Sequence, residues 1–235
     1  MAREVEEINA SSMADIAFLL LIFFLVTTTL HKEKVVEERL PQRVPPGQES
    51  PIVLPKNVLE IVANRKDQIL LEREPAEIED IKEKVREFYI HPLTATNWPQ
   101  LTPIKKAKVE EKIKLYKAYV AQNAKGYEDS LERMEGKLAT INLVGEYNEL
   151  HKYGMVTIQL DNSTKFETYL KVLDQIMLGI NELRDELSRE KFNVPYDKLN
   201  ERDDDDRAKL KALRMVYPKR IMKAKNVNTA KSTNP

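Results

Sequence analysis

The stretch "NVLEIVANRKDQILLEREPAEIEDIKEKVREFYI", residues 57–90, changes its period along its length. "VLEIVAN" alternates and reads as a strand that ends in a turn at Asn64 to Asp67. "QILLER" reads as a second strand, and "PAEIEDIKEKVREFYI" as a helix with Pro75 at its start. Ile78, Ile81, Val85 and Phe88 recur at helical spacing, an apolar stripe suited to covering a sheet. Further on, "GMVTIQLDNST" reads as another strand. "KFETYLKVLDQIMLGINELRDELSREKF" then forms a long helix with Tyr169, Val172, Leu173, Ile176, Ile180, Leu183 and Leu187 on one face. The order is β-β-α, an interruption, then β-α, and the class is α+β. Asp161, between strand and helix, suits a turn or cap better than a catalytic role.

Composition removes several function classes. The chain has 235 residues, 38 basic and 38 acidic, so no net charge points to nucleic acid. It contains no cysteine, which excludes disulfides, thiolate chemistry and cysteine–zinc sites together. His31, His91 and His151 form no metal-ligand pattern. Without a nucleotide fingerprint or nucleophile elbow, the expectation is a non-enzyme with no cofactor and no metal.

Upstream stands "INASSMADIAFLLLIFFLVTTTL", 23 residues from Ile8 to Leu30. About 20 apolar residues cross a bilayer core of about 30 Å, so this segment reads as a spanning helix if both polar ends lie at interfaces. A helix buried in a soluble protein is the alternative, although apolar residues here cover every face. A cleaved signal peptide does not fit: the preceding residues carry Glu4, Glu6 and Glu7 against Arg3, and the end is Thr-Thr-Thr-Leu-His. Lys32, Lys34 and Arg39 follow the segment, so the positive-inside count puts the bulk of the chain in the cytoplasm. Asp15 is the anomaly. A carboxylate inside an apolar helix asks for a partner helix or a water-filled path, unless it sits among headgroups.

These residues resemble the N-terminal segment of the ExbD/TolR family of biopolymer transport proteins. The match rests on Ile8, Asn9, Asp15, the leucine-rich run and Phe23 or Phe24, in a wording like that of Bacteroidetes-type members. Ser12 stands where many members carry proline. Leu40–Pro41 and "TIQLDNSTKFETYLKVLDQI" resemble later parts of the same family. The resemblance implies a bacterial inner-membrane protein with one span, a cytoplasmic N-terminus and a periplasmic C-terminal domain, opposite to the charge count. It implies a proton-coupled energiser in which Asp15 carries protons inside an ExbB/TolQ-like channel protein. Two copies would sit in that channel, and a TonB- or TolA-like protein would carry force onward. Ser12, Phe18, Leu19, Ile22, Phe23 and Val26 would then pack against the channel, with Thr27, Thr28 and Thr29 at its periplasmic mouth. A scaffold whose Asp15 merely specifies helix pairing is the alternative.

The expected organisation follows. Residues 1–7 form a cytoplasmic end, 8–30 a transmembrane helix and 31–56 a linker with five prolines. Residues 57–193 form a small periplasmic α+β domain. Residues 91–153 form a charged helical insertion within it, interrupted near Gly126 and Gly136, with Tyr116, Tyr119 and Tyr127 covering its own seam. Residues 194–235 form a charged flexible tail, in which Asp203 to Asp206 suit a helix start.

Overall fold

A computed structural model describes residues 10–27, 54–122 and 126–224. The chain divides into two units, Met1–Ser50 and Pro51–Pro235. In the first, the described residues form one helix, α1 (Ala10–Thr27). The second runs β1 (Val58–Ala63), β2 (Ile69–Leu71), β3 (Glu74–Ala76), α2 (Asp80–Ile90), β4 (Leu101–Ile104), α3 (Lys106–Ala121), α4 (Glu128–Val144), β5 (Tyr147–Leu150), β6 (Met155–Leu160), α5 (Phe166–Phe192), α6 (Asp204–Val216) and β7 (Ile221–Lys223).

Five strands make a mixed sheet in the order β3-β2-β1-β6-β7. The β1–β2–β3 meander is antiparallel, whereas β6 joins β1, and β7 joins β6, in parallel. Alternation along β1 and β6 sorts their side chains onto two faces. Leu59, Ile61, Val156 and Ile158 are buried under α2 and α5, while Glu60, Val62, Thr157 and Gln159 stay half-exposed on the other side. The helices contribute the stripes the sequence marks: Ile81, Val85 and Phe88 from α2, with Val172, Leu173, Ile176, Ile180 and Leu183 from α5. Each such side chain stabilises the fold by about 1.5–3 kcal/mol on full burial. Arg86 and Lys82 also reach Glu182 across the α2–α5 seam, at 3.5 and 3.2 Å. Surface pairs of this kind contribute only about 0–1 kcal/mol. The apolar seam decides the packing.

Between α2 and β6 lies a helical hairpin on a two-stranded base. β4 and β5 pair antiparallel, and Ile104, Val109, Ile113, Met134 and Ile141 form its own core. Tyr119 and Tyr127 pack at 4.7 Å where α3 meets α4, so these rings cover the hairpin's seam. His91, ending α2, stacks on Trp98 and lies between the carbonyl oxygens of Phe88 and Pro99, at 3.1 and 2.7 Å.

Four expectations are corrected. First, within the 23-residue segment read as a spanning helix, the described residues form α1, 18 residues from Ala10 to Thr27. Its uninterrupted apolar part, Ile16 to Val26, is shorter still because Ser11, Ser12 and Asp15 occupy the first turns. Among the described residues no helix is long and apolar enough to cross a membrane. The fold class with a transmembrane helix, and the single-pass inner-membrane placement with a cytoplasmic N-terminus and periplasmic domain, are therefore not supported. The α+β domain stands. Second, Pro75 lies in strand β3 opposite Leu70, at the sheet edge where its missing N–H is tolerated. Third, Gly136 lies inside α4 and interrupts nothing; a Cβ there would come within 3.2 Å of Met215 Cε on α6.

Fourth, residues beyond 194 do not form a free tail as far as Ala224. Asp203 accepts a hydrogen bond from the Asp206 N–H at 2.9 Å and starts α6. Leu210, Leu213 and Val216 bury themselves, and the chain then adds β7 to the sheet. The clasp is Arg184, buried on α5, whose Nε and Nη2 donate to the Tyr217 carbonyl at 3.0 and 2.7 Å. Tyr89 donates to the next carbonyl, Pro218, at 2.6 Å, and burial pushes its hydroxyl up to about 12.

Two contacts give direct tests. A Cβ on Gly179 of α5 would stand 2.8 Å from the Lys82 carbonyl oxygen of α2, against fixed backbone. Glycine to alanine in a helix interior ordinarily gains about 1 kcal/mol. Overpacking costs about 1–3 kcal/mol, so here the sign should reverse. Gly179→Ala is expected to lower the urea midpoint; a raised midpoint would mean that the helices part freely.

Asp67 caps α5 from the β1–β2 turn. Its Oδ1 accepts from the Lys165 N–H at 3.2 Å and the Thr168 hydroxyl at 2.9 Å. The Lys165 N–H first, then Thr168 and the Lys165 charge, hold this carboxylate below its usual range. A depressed folded pKa contributes stability that is fully present above the ordinary carboxylate range. It is lost as pH falls through the folded value. Asp67→Asn should lower stability at pH 7 and lose less than wild type between pH 4 and pH 2. Urea midpoints across that range test it, and parallel acid limbs would rule the cap out.

Candidate functional site

The residues singled out by sequence lie on α1. Leucine, alanine and methionine favour its helix, and no glycine or proline interrupts residues 10–27. Successive residues turn by 100°, which puts Ser12, Asp15, Leu19, Ile22 and Val26 along one stripe, with Phe18 and Phe23 on its flanks. From Met13 to Phe24 every side chain is exposed. Phe18 and Leu19 are 58% and 59% open and Ile22 41%, so the helix carries apolar surface on all sides. Phe23 and Phe24 meet edge to face at 6.1 Å. Thr27 is the last described residue of α1, and Thr28 and Thr29 lie outside the described residues. Proton-driven work through an intramembrane Asp15 is not supported, because among the described residues no helix is long and apolar enough to cross a membrane.

The folded unit offers a second concavity that sequence reasoning missed. β1 and β6 are parallel, so their C-terminal ends, Ala63 and Leu160, fall together. Asn64 holds the turn after β1, its Oδ1 accepting from the N–H groups of Lys66 and Gln68 at 2.8 and 3.0 Å. Asp161 holds the turn after β6, accepting from Ser163 N–H and Oγ at 3.1 and 2.7 Å. Arg65 bridges the two turns, with Nε 3.2 Å from Asp161. Beside them Val62, Leu70 and Gln159 line a cavity of about 400 Å³ on the uncovered sheet face. Strand ends of open sheets are common binding places. The signal in the sequence is the pairing of "ANRKD" with "LDNST", legible only once the two strands are known to be parallel neighbours.

Neither place holds reaction machinery. Asp161 is occupied by its turn and Arg65, as a structural role requires. Among the described residues no group of three or more histidine, cysteine, aspartate or glutamate side chains could hold a metal ion. What α1 can do is associate. What the strand-end cavity can do is bind.

No curated protein and no solved structure matches this chain. The family model described as "Biopolymer transport protein ExbD/TolR" matches residues 1–184, taking in α1, the β1–β6 core and most of α5. A match over that share of 235 residues places the chain, a non-catalytic protein, in the ExbD/TolR family of biopolymer transport proteins.

Proposed function

We propose that this chain is a non-catalytic subunit of a biopolymer transport complex linked to the proton motive force. In this reading α1 docks it against helices of an ExbB/TolQ-like partner. One observation carries the reading: from Met13 to Phe24 α1 presents apolar side chains on every face, all of them exposed. Exposed apolar surface of that extent marks an interaction site. Family membership supplies the class of partner. A second copy of the chain and a TonB- or TolA-like protein complete the assembly in this proposal.

Asp15 has a defined part in such a contact. It is the only charged residue of α1 and shares a stripe with Leu19 and Ile22. Covered by apolar helices alone, its carboxylate would lose its water, at a cost of at least about 1–3 kcal/mol. The partner must therefore offer a polar group opposite it. That requirement sets which way α1 faces and how deeply it engages, while Phe18, Leu19, Ile22 and Phe23 supply the contact area.

Co-purification of the tagged chain with its ExbB/TolQ-like partner tests the proposal. Leu19→Glu with Ile22→Glu should abolish recovery of the partner and leave the folded unit's thermal unfolding unchanged. Asp15→Asn keeps hydrogen-bonding capacity and should retain the partner; Asp15→Lys should lose it. Full recovery with the double glutamate variant would remove α1 from the interface.

A further inference from the structure

We propose that the start of α3 is a docking site for an acidic protein segment that carries a large apolar side chain. Lys105, Lys108 and Lys112 rim an apolar cavity of about 230 Å³ formed by Ile104, Val109 and Met134 of the hairpin module. This site is independent of α1 and of the reading given to it.

Charge makes the argument. Between residues 105 and 117 there are six lysines and only two glutamates. Glu110 faces Lys106 at 4.0 Å, and Lys117 is paired with Glu135 at 3.1 Å. Lys137, on the far rim, is neutralised by Glu149 at 2.5 Å. Among the described residues, no carboxylate comes within 4 Å of Lys105, Lys108 or Lys112, and all three are exposed. Their spacing of three and four residues sets them on one face of the helix.

The positions of Lys105 and Lys108 are also against the helix's own interest. Cations near a helix N-terminus meet the positive end of the macrodipole, where acids are favoured. The first turn of α3 has no acid, and Lys105 makes no side-chain cap. Glu146 supplies the missing acceptor from outside, taking the Lys106 N–H at 3.0 Å, and leaves the lysine face open. Three unpaired cations and the helix end thus point the same sign at one small apolar hollow. Solvation alone accounts for scattered lysines; it does not account for their gathering around the mouth of an apolar cavity walled by the hairpin's own core. The complementary ligand has carboxylates spaced around one leucine- or phenylalanine-sized side chain. An acidic peptide meets both requirements, and a purely polar polyanion meets only one.

The test uses the full chain and a blocked hexapeptide, Glu-Glu-Leu-Phe-Glu-Glu, titrated by calorimetry at low salt. Binding should weaken at least tenfold with Lys108→Glu plus Lys112→Glu, and also when the two apolar residues of the peptide become serine. Lys114→Glu, on another face of α3 and outside the cavity, should leave the affinity within twofold and serves as the control for general charge. Circular dichroism should match for all variants, because each altered lysine is exposed. No detectable binding overturns the proposal, and so does equal binding by the serine peptide. Binding to phosphatidylglycerol vesicles or a DNA oligonucleotide in preference to the peptide would also overturn it, in favour of a lipid or nucleic-acid surface.

Discussion

The parallel pairing of β1 with β6 is the constraint on which the folded unit rests. Parallel neighbours cannot be joined by a tight turn, so the chain between them must leave one end of the sheet and return to the other. Residues 64–154 make that journey, and each element on the way has a defined place. β2 and β3 extend the sheet beyond β1, α2 covers one face, and the β4–α3–α4–β5 module hangs from the end of α2. α5 then lies beside α2 so closely that Gly179 must be without a side chain. The same pairing brings the two strand-end turns together, where Arg65 can reach Asp161 and Asp67 can cap α5.

Only one face of the sheet receives helices, and that asymmetry shapes what the unit can offer. The half-exposed positions Val62, Leu70 and Gln159 belong to the strand-end cavity, while the opposite set is closed into the core. The matched family segment ends at residue 184, inside α5. Beyond it α6 and β7 still belong to the same fold: the Arg184 guanidinium holds the chain after α6, and burial lowers its pKa without displacing its role as a donor. A buried guanidinium bonded to a backbone carbonyl ties down a segment whose own composition is strongly basic.

Much of the core was legible because it is local. The period-two alternation of β1, the period of α2 and the long stripe of α5 each depend on neighbours within one turn or pleat. The acidic run at Asp203 likewise announced a helix start through its cap. The misreadings share a cause of another kind. Pro75 looks like a helix opener until its strand is seen to lie at an edge, and Gly136 looks like a break until Met215 is found above it. Glu72 and Arg73 turn β2 into β3 at φ 50° and 76°, without the glycine or asparagine that would have signalled a hairpin. The stripe Leu210, Leu213, Val216 was present but outweighed by nine lysines and arginines after Asp206.

The apolar run on α1 shows how far composition reaches. Residue types alone identified an apolar helix, its single acid and the family to which the chain belongs, whereas the reading of that helix as a membrane span is not supported. Of the 23 residues read as one segment, the structure describes 18 as helix, Ala10–Thr27. By itself the sequence determined the α+β class, the strand and helix faces of the core and the family, because these rest on short-range periodicity and residue identity. Only the tertiary structure decided the parallel register, the folded course of residues 196–223, the strand-end cavity and the lysine-rimmed hollow. Each of those joins residues far apart in the chain, and no local pattern carries the distance between them.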